Sequence, residues 1–405
     1  MRVLLVGSGG REHALAWRLS SSPSLDELHA APGSPGIAAL ATCHPVAADD
    51  ADGLLGLARS LEIELIVVGP EAPLVAGVAD VLRHSGIPVF GPSAAAARIE
   101  GSKRFAKEVM AAAGVPTAAL LSEARAPCVL KADGLAAGKG VIVCHTDEEL
   151  RAGLVVAESF DGEVLVEELM DGQEVSVLAL CDGSDAIALA PARDFKRAYD
   201  GDAGPNTGGM GSFAPVAEID DAALAGIVDD TVRPVLAELA SRGSPFVGTL
   251  FAGLMLTPDG PRVVEYNCRF GDPETQSVLP LVEGDLLAAL GAAAAGSLAG
   301  VTLGRARGAA VTVVIAGGEY PATGDRGTPI EGIEEAEASG ALVFHAGTAL
   351  SDGRLVTNGG RLLAVTGTGP TLVEARGSAY AAADLIRIAG ARRREDIAVA
   401  AAEGG

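Results

Sequence analysis

Aromatic side chains are scarce. They make up 3% of the 405 residues, with a single tryptophan, so cores must be packed from Ala, Val, Leu and Ile. Positive charge is scarce as well: 30 Lys and Arg stand against 53 Asp and Glu, a formal net charge of -23. That balance argues against a nucleic-acid partner or an anionic membrane surface. An anionic ligand must be held by local cations and backbone N–H groups, against the global field. The five cysteines, at 43, 128, 144, 181 and 268, contain no C-x-x-C pair, which disfavours a zinc ribbon or disulfide framework and fits a reduced, cytoplasmic setting. Long apolar runs are missing too. The longest uncharged stretch, Leu286 to Gly304, is mostly Ala and Gly and predicts a helix end plus a loop, not a membrane span. The opening "MRVLLVGSGGREHALAWRL" lacks a signal-peptide cleavage pattern and reads as a strand broken by glycines.

Apolar residues make up 49% of the chain, enough for real cores, and the length predicts more than one domain. Over the first hundred residues, apolar strands ("RVLLVG", "LDELHAAPG", "ELIVVGPEAP", "IPVFGPS") alternate with helical spacing, which implies a parallel, doubly wound α/β sheet. From Gly101 the pattern changes. A helix, "SKRFAKEVMAAAG", stops at Gly114 and Pro116, and strand pairs follow: "CVLKAD" with "GVIVC", and "GEVLVEEL" with "EVSVLALC". "LFAGLMLTPDGPRVVEYN" predicts a hairpin. The last hundred residues predict a small C-terminal α+β domain with a soft tail after Arg394. The expected division is 1–101, 102–308 (with a small antiparallel lid at about 116–182) and 309–405.

Four stretches carry candidate chemistry. "CVLKADGLAAGKGVIVC" (Cys128 to Cys144) is not a Walker A loop: three residues separate Gly134 from Gly138, Gly140 replaces the Ser or Thr after Lys139, and a strand follows instead of a helix. A glycine turn can still cradle phosphate through backbone N–H groups, and Lys131 in an apolar strand needs an anion; a plain hairpin with an edge-facing Lys remains open. In "VLVEELMDGQEVSV", Glu167, Glu168 and Glu174 are either solvated carboxylates or contacts for an adenosine. In "RVVEYNCRFGDPETQS", Glu265 and Asn267 are i and i+2 on a strand and share a face; a carboxylate with an amide oxygen suits Mg²⁺. "ARDFKRAYDGDAGPNTGGMGSF" is a glycine-dense loop beside Lys196 and Arg197, shaped for a ligand or simply mobile. "GSGGREHA" has Glu12 where a dinucleotide fingerprint needs its third glycine, and the second strand ends "LHAAPG" with no acidic residue there for a ribose, which disfavours a dehydrogenase.

The ordered set "GSGGREHALAW", "VGPEAPLVAG", "FGPS", "EGSKRFAKE", "KADGLAAGKGV", "GPNTGGMG" and "EYNCRFGDPETQ" closely resembles the phosphoribosylamine–glycine ligase family of ATP-grasp enzymes, from Arg2 to about Ile397. The resemblance implies a central ATP-grasp fold and ATP-driven ligation of glycine to 5-phosphoribosylamine through glycyl phosphate, in purine biosynthesis. It implies ATP with Mg²⁺ or Mn²⁺ as cofactors, and a cytoplasmic monomer with small-molecule partners and neither nucleic acid nor membrane. Lys103, Lys131 and the turn Gly138, Lys139 and Gly140 match the phosphate contacts of the ATP site. Glu167, Glu168 and Met170 match its adenine connection, and Glu174 its ribose carboxylate. Glu265 and Asn267 match the metal ligands, while the preceding strand, "FAGLML", offers no further acid. Gly9, Gly10 and Glu71 match the site for the phosphoribosyl group, although Glu71 alone reads equally well as a helix-start charge. Asp194, Lys196, Arg197, Asn206, Thr207, Gly208 and Arg269 match substrate contacts, and Arg269, Lys131 and Asp272 the catalytic group. Phe195 stands where many relatives carry His, and the segments before Val129 and Val164 are short. His13 is expected to be structural. Two other readings are another ATP-grasp ligase or carboxylase, and a nucleotide-binding regulator without catalysis.

Overall fold

The computed structural model describes residues 1–135, 140–160 and 162–403. Its first sheet is parallel throughout, in the order Thr42–Cys43, Glu27–Pro32, Arg2–Gly7, Leu65–Val68 and Val89–Phe90. The central strands are buried along most of their length, as a sheet covered on both faces requires. Strand order reverses between Arg2–Gly7 and Leu65–Val68, so the crevice beyond their carboxyl ends is where such a sheet takes ligands. Glu71 begins a helix at that crevice.

The strand Cys128–Ala132 forms the middle of a second, three-stranded antiparallel sheet, flanked by Val141–Cys144 and Val164–Glu168. Cys128, Leu130 and Cys144 pack with Leu150 and Ala157 of the helix Asp147–Ala157. By the two-residue period of a strand, Lys131 and Glu167 then face the other way. One expected pairing does not form. Val164–Glu168 joins this lid sheet, while Gln173–Asp182 belongs to another four-stranded sheet with Ala186–Ala188, Val247–Thr257 and Gly260–Asn267. The two neighbours in sequence are separated by a change of sheet, with Gly172 at φ 152 lying against the backbone of Leu256.

The predicted hairpin is present as Val247–Thr257 with Gly260–Asn267. The last sheet runs Arg193–Asp194, Gly211–Ala214, Ala309–Ala316, Arg361–Gly369, Leu342–His345, all antiparallel. Strands from the middle of the chain thus complete a sheet built mainly from its last hundred residues. The helix Leu372–Ala383 lies so close that a Cβ on Gly367 would meet the backbone of Ala379. Leu286–Ala294 is a helix followed by a loop, as expected, and among the described residues no helix is long and apolar enough to cross a membrane.

The tail is not soft. Arg394 is 1% exposed, Ile397 is buried, and a helix spans Val399–Glu403. The reason is electrostatic: Arg393 and Arg394 each find carboxylate partners, so the charged run is not solvated. His13 is buried on the helix Gly10–Ser20, where its Nδ1 accepts the backbone N–H of His345 at 2.8 Å.

Candidate active site

A cavity of about 990 Å³ opens where the parallel sheet, the lid sheet and the four-stranded sheet meet. It is lined by Glu71, Lys103, Lys131, Gly140, Glu167, Glu174, Asp194, Lys196, Arg197, Asn206, Thr207, Gly208, Glu265, Asn267, Arg269 and Asp272, which the sequence reading had singled out from six separate stretches. Four others lie away from it. Glu168 turns to Arg262, with which it pairs closely, and accepts the backbone N–H of Ala119 at 2.8 Å. Met170 is half-buried and does not line the cavity, nor do Gly9 and Gly10. The N–H of Gly9 is taken by the Glu12 carboxylate at 2.7 Å, so that donor is not free for a phosphate. Gly138 and Lys139 lie outside the described residues.

Within the lid sheet, Lys131 pairs with Glu167 at 2.8 Å, and it donates out of that sheet to the carbonyl of Val264 at 2.8 Å. Lys107 reaches the same carboxylate at 3.1 Å and donates to Thr117 and Ala118. Its contact with Glu167 Oε1 is an ion pair without hydrogen-bonding geometry, so that oxygen keeps unused acceptor capacity. Lys103 Nζ donates to the carbonyl of Gly134, and its backbone N–H to Asp133, which ties the start of the helix Lys103–Ala113 to the lid loop. Burial lowers the pKa of Lys103 and of Lys107 from the ordinary lysine value. A cation thus stripped of water is poised for an anionic ligand.

Across the cavity, Glu265 and Asn267 alternate with buried Tyr266 on the strand Gly260–Asn267 and point the same way. Two hard oxygen donors on one face suit a divalent cation that completes its shell with water and phosphate oxygens. Among the described residues no group of three or more His, Cys, Asp or Glu is arranged to hold a metal alone. The residues therefore fit a metal shared with a nucleotide rather than caged by the protein.

Next to them, Lys196 pairs closely with Glu174 and sits 3.4 Å from Asp194. Burial opposes its charge, but Asp194, Glu174 and Glu265 raise its pKa well above the ordinary value. Burial pushes Asp194 up, and it pushes Glu274 up to about 7 with the help of Asp194. Glu274 is 3% exposed and accepts from Ser176 Oγ at 3.0 Å.

Arg269, also lining the cavity, lies 3.3 Å from Glu71 and 3.5 Å from Glu100, and Arg11 lies 3.7 Å from Glu71. Burial works against the Arg269 charge, yet Glu100 and Glu71 raise its pKa further. Burial would neutralise Glu71, but Arg269 and Arg11 outweigh it and hold the carboxyl below its usual range. Asp272 is gripped by Arg361 at 2.7 Å, whose fork also reaches the carbonyls of Gly208 and Asp272. Arg361 and Arg11 overcome burial and keep Asp272 ionised. The sequence reading missed Arg11, Glu100, Lys107, Arg361 and Arg394, all of which line this cavity. Only Lys107 had a local signal, four residues after Lys103 and therefore on the same helix face.

Comparison with known proteins covers the chain from end to end. Residues 1–100 match the N domain of phosphoribosylglycinamide synthetase, 101–275 its ATP-grasp (A) domain and 310–400 its C domain. The chain is 50% identical to phosphoribosylamine–glycine ligase of Streptomyces coelicolor, over 99% of this chain and 100% of that protein. It is 48% identical to the Mesorhizobium japonicum protein of that name, over 95% of each. It resembles the crystal structure of phosphoribosylamine–glycine ligase from Thermotoga maritima with a TM-score of 0.85 and 36% identity, covering 98% of this chain and 100% of that one. The biotin carboxylase domain of a Hydrogenobacter thermophilus carboxylase, solved with MgADP, shares the fold at a TM-score of 0.70 and 18% identity.

Proposed function

The chain belongs to the phosphoribosylglycinamide synthetase family and is an ATP-dependent ligase joining glycine to phosphoribosylamine in purine biosynthesis, and we propose how its residues divide that work. The observation that carries the proposal is one cavity lined together by Lys103 and Lys131, by the Glu265–Asn267 pair and by the Arg269–Glu71 pair. ATP and phosphoribosylamine can then meet with glycine between them.

A carboxylate is a poor electrophile at neutral pH. Transfer of the ATP γ-phosphoryl to glycine's carboxylate gives glycyl phosphate and ADP. Attack by the amine of phosphoribosylamine forms the amide, releases phosphate and loses a proton. The protein's part is positioning and charge stabilisation. Lys103 and Lys131 hold the phosphates, Lys131 exchanging Glu167 for phosphate oxygens, with the turn Gly138–Gly140 over them. Glu167 to Met170 border the adenine, through backbone in the case of Glu168 and Met170, and Glu174 accepts from the ribose. Glu265 and Asn267 hold the divalent metal, Mg²⁺ or Mn²⁺, which when bound neutralises phosphate charge. Arg269 stabilises the acyl phosphate and its oxyanion, and Asp272, held by Arg361, helps to fix the geometry of the catalytic group. Glu71, at the crevice of the parallel sheet, accepts from the phosphoribosyl hydroxyls, with Gly10 at the phosphate and Gly9 there only if Glu12 releases its N–H. Asp194, Lys196, Arg197, Asn206, Thr207 and Gly208 form the remaining substrate wall.

We divide the chain at 1–101, 102–308 and 309–405, and the lid expected at about 116–182 is narrowed to end near Glu168, because Gln173–Asp182 pairs with Val247–Thr257 instead. We read the protein as a cytoplasmic monomer without a nucleic-acid partner. The net charge of -23 supports the absence of a nucleic-acid partner. Glu265→Gln tests the assignment. Glycine-dependent ADP release with freshly made phosphoribosylamine should fall by about 100-fold, in the range of losing one preorganised charge contact, with the fold intact by circular dichroism. Undiminished turnover would sink the metal role of Glu265.

A further inference from the structure

The C-terminal segment is fastened on two sides. On one side, Ala316 and Arg392 exchange two backbone hydrogen bonds at 2.8 Å, and the Tyr380 hydroxyl donates to the carbonyl of Arg394 at 2.8 Å while accepting the N–H of Ile397 at 3.1 Å. On the other, it grips the small antiparallel hairpin Arg197–Tyr199 with Ala203–Asn206. Arg392 donates to the carbonyl of Ala198 at 2.5 Å, and the N–H of Glu395 donates to Asp200 at 2.8 Å. The N–H of Gly201 donates to Asp396 at 2.8 Å. Arg394 is the centre of this grip. It donates to Asp202 at 2.8 Å and to the carbonyl of Arg197 at 3.2 Å, pairs with Asp396 at 2.6 Å, and lies 5.1 Å from the Phe195 ring centroid.

Arginine buried to this degree is costly unless every face is used, and here each face is. The hairpin itself has little to hold it. Its residues 199 to 205 are exposed, and Gly201 and Asp202 adopt positive φ. Yet it is flanked by Lys196 and carries Arg197 and Asn206, and Asn206 donates to the lid carbonyl of Val141 at 3.3 Å.

We propose that the segment Arg392–Asp396 is a strap that holds the hairpin 197–206 in its substrate-ready position, with Arg394 as the positioning residue. The inference rests on the reading of 194–208 as substrate wall. The strap acts through the hairpin and touches no reacting atom.

Two variants of the full chain test it. Arg394→Gln removes the fork. Asp202→Asn weakens the grip from the exposed side, and Asn tolerates the left-handed backbone there. Hydrogen exchange of the backbone at 197–204 should quicken about tenfold for Arg394→Gln, the equivalent of one lost charge-assisted hydrogen bond, and by a lesser factor for Asp202→Asn. KM for at least one of ATP, glycine and phosphoribosylamine should rise by a similar factor while kcat stays within about twofold. A merely structural role would lower the active fraction, and so the apparent kcat, at constant KM. Wild-type exchange in the hairpin of a folded variant overturns the strap. Faster exchange with all three KM values unchanged overturns the substrate role of the hairpin, and the positioning role falls with it. If Arg394→Gln does not fold, Asp202→Asn decides alone.

Discussion

Lowering the pH should loosen the contact between the first helix and the last sheet, and His13 is the group to test. It is 7% exposed, its pKa is pushed down to about 3 by burial and by neighbouring His345, and its ring stacks edge-on with Phe344 at 5.6 Å. His345 is pushed down to about 4 by burial. Both are neutral in the fold and protonate near pH 6.5 once unfolded, so the unfolded state binds the extra protons. Their contribution to stability is therefore present above about pH 6.5 and drains away as pH falls towards the folded values. Between pH 7.5 and 5.0 linkage gives a loss of about 2 kcal/mol for each, at 1.36 kcal/mol per pKa unit. Glu274 works the other way. Its folded pKa of about 7 exceeds the unfolded value, so the fold gains about 2 kcal/mol over the same interval and masks part of the loss. The wild-type slope alone is thus ambiguous, and the informative quantity is the change in slope for His13→Asn, whose amide oxygen can still accept the His345 N–H. Trp17, the only tryptophan, sits 6.0 Å from Phe344 and reports on this contact by fluorescence. In urea titrations followed at Trp17, the stability lost between pH 7.5 and 5.0 should shrink by about 2 kcal/mol in the variant, whatever the substitution costs at neutral pH. Equal pH slopes for the two proteins would refute the claim that burial keeps His13 neutral.

Glu167→Gln should destabilise the unliganded protein by about 3–5 kcal/mol, because two buried ammonium groups lose their shared anion. ATP should then raise the thermal midpoint more in the variant than in the wild type, since its phosphates supply the missing charge; a smaller shift would contradict the placement of Lys131 at the phosphates. Arg361→Lys keeps the charge but cannot span Asp272 and the Gly208 carbonyl together. Ligase kcat/KM should fall about tenfold, a loss of about 1.4 kcal/mol, with an unchanged melting profile, and full activity would show that this bridge is dispensable.

What was legible in the sequence was what a local pattern can encode. Lys131 stood out as a charge in an apolar strand, and alternation put Glu265 and Asn267 on one face. Glu71 was legible only through the family resemblance, since its position alone suits a helix-start charge equally well. The pairing of Val164–Glu168 was not legible, because proximity in sequence suggested a hairpin with Gln173–Asp182 and the actual partner, Cys128–Ala132, lies upstream. Arg361 and Arg394 left no trace at all. Their partners are 89 and 192 residues away, and "RRRED" has the look of a solvated charge run until Asp202, Asp384 and Asp396 are folded around it.

The net charge of -23 poses a physical problem for an enzyme of anionic substrates, and the cavity suggests how it is met. Its main cations are already paired: Lys131 with Glu167, Lys196 with Glu174, Arg269 with Glu71 and Glu100, Arg361 with Asp272. Without a partner, burial would push the lysines among them below their ordinary pKa, as it already lowers Lys103 and Lys107. Paired, they stay charged and oriented. A phosphate or carboxylate entering the site then exchanges one anionic partner for another, avoiding the full desolvation of a free cation. Such an exchange also discriminates. A neutral ligand of similar shape would have to leave every pair intact or strand a carboxylate, so selectivity for anions arises locally in a protein whose overall field repels them.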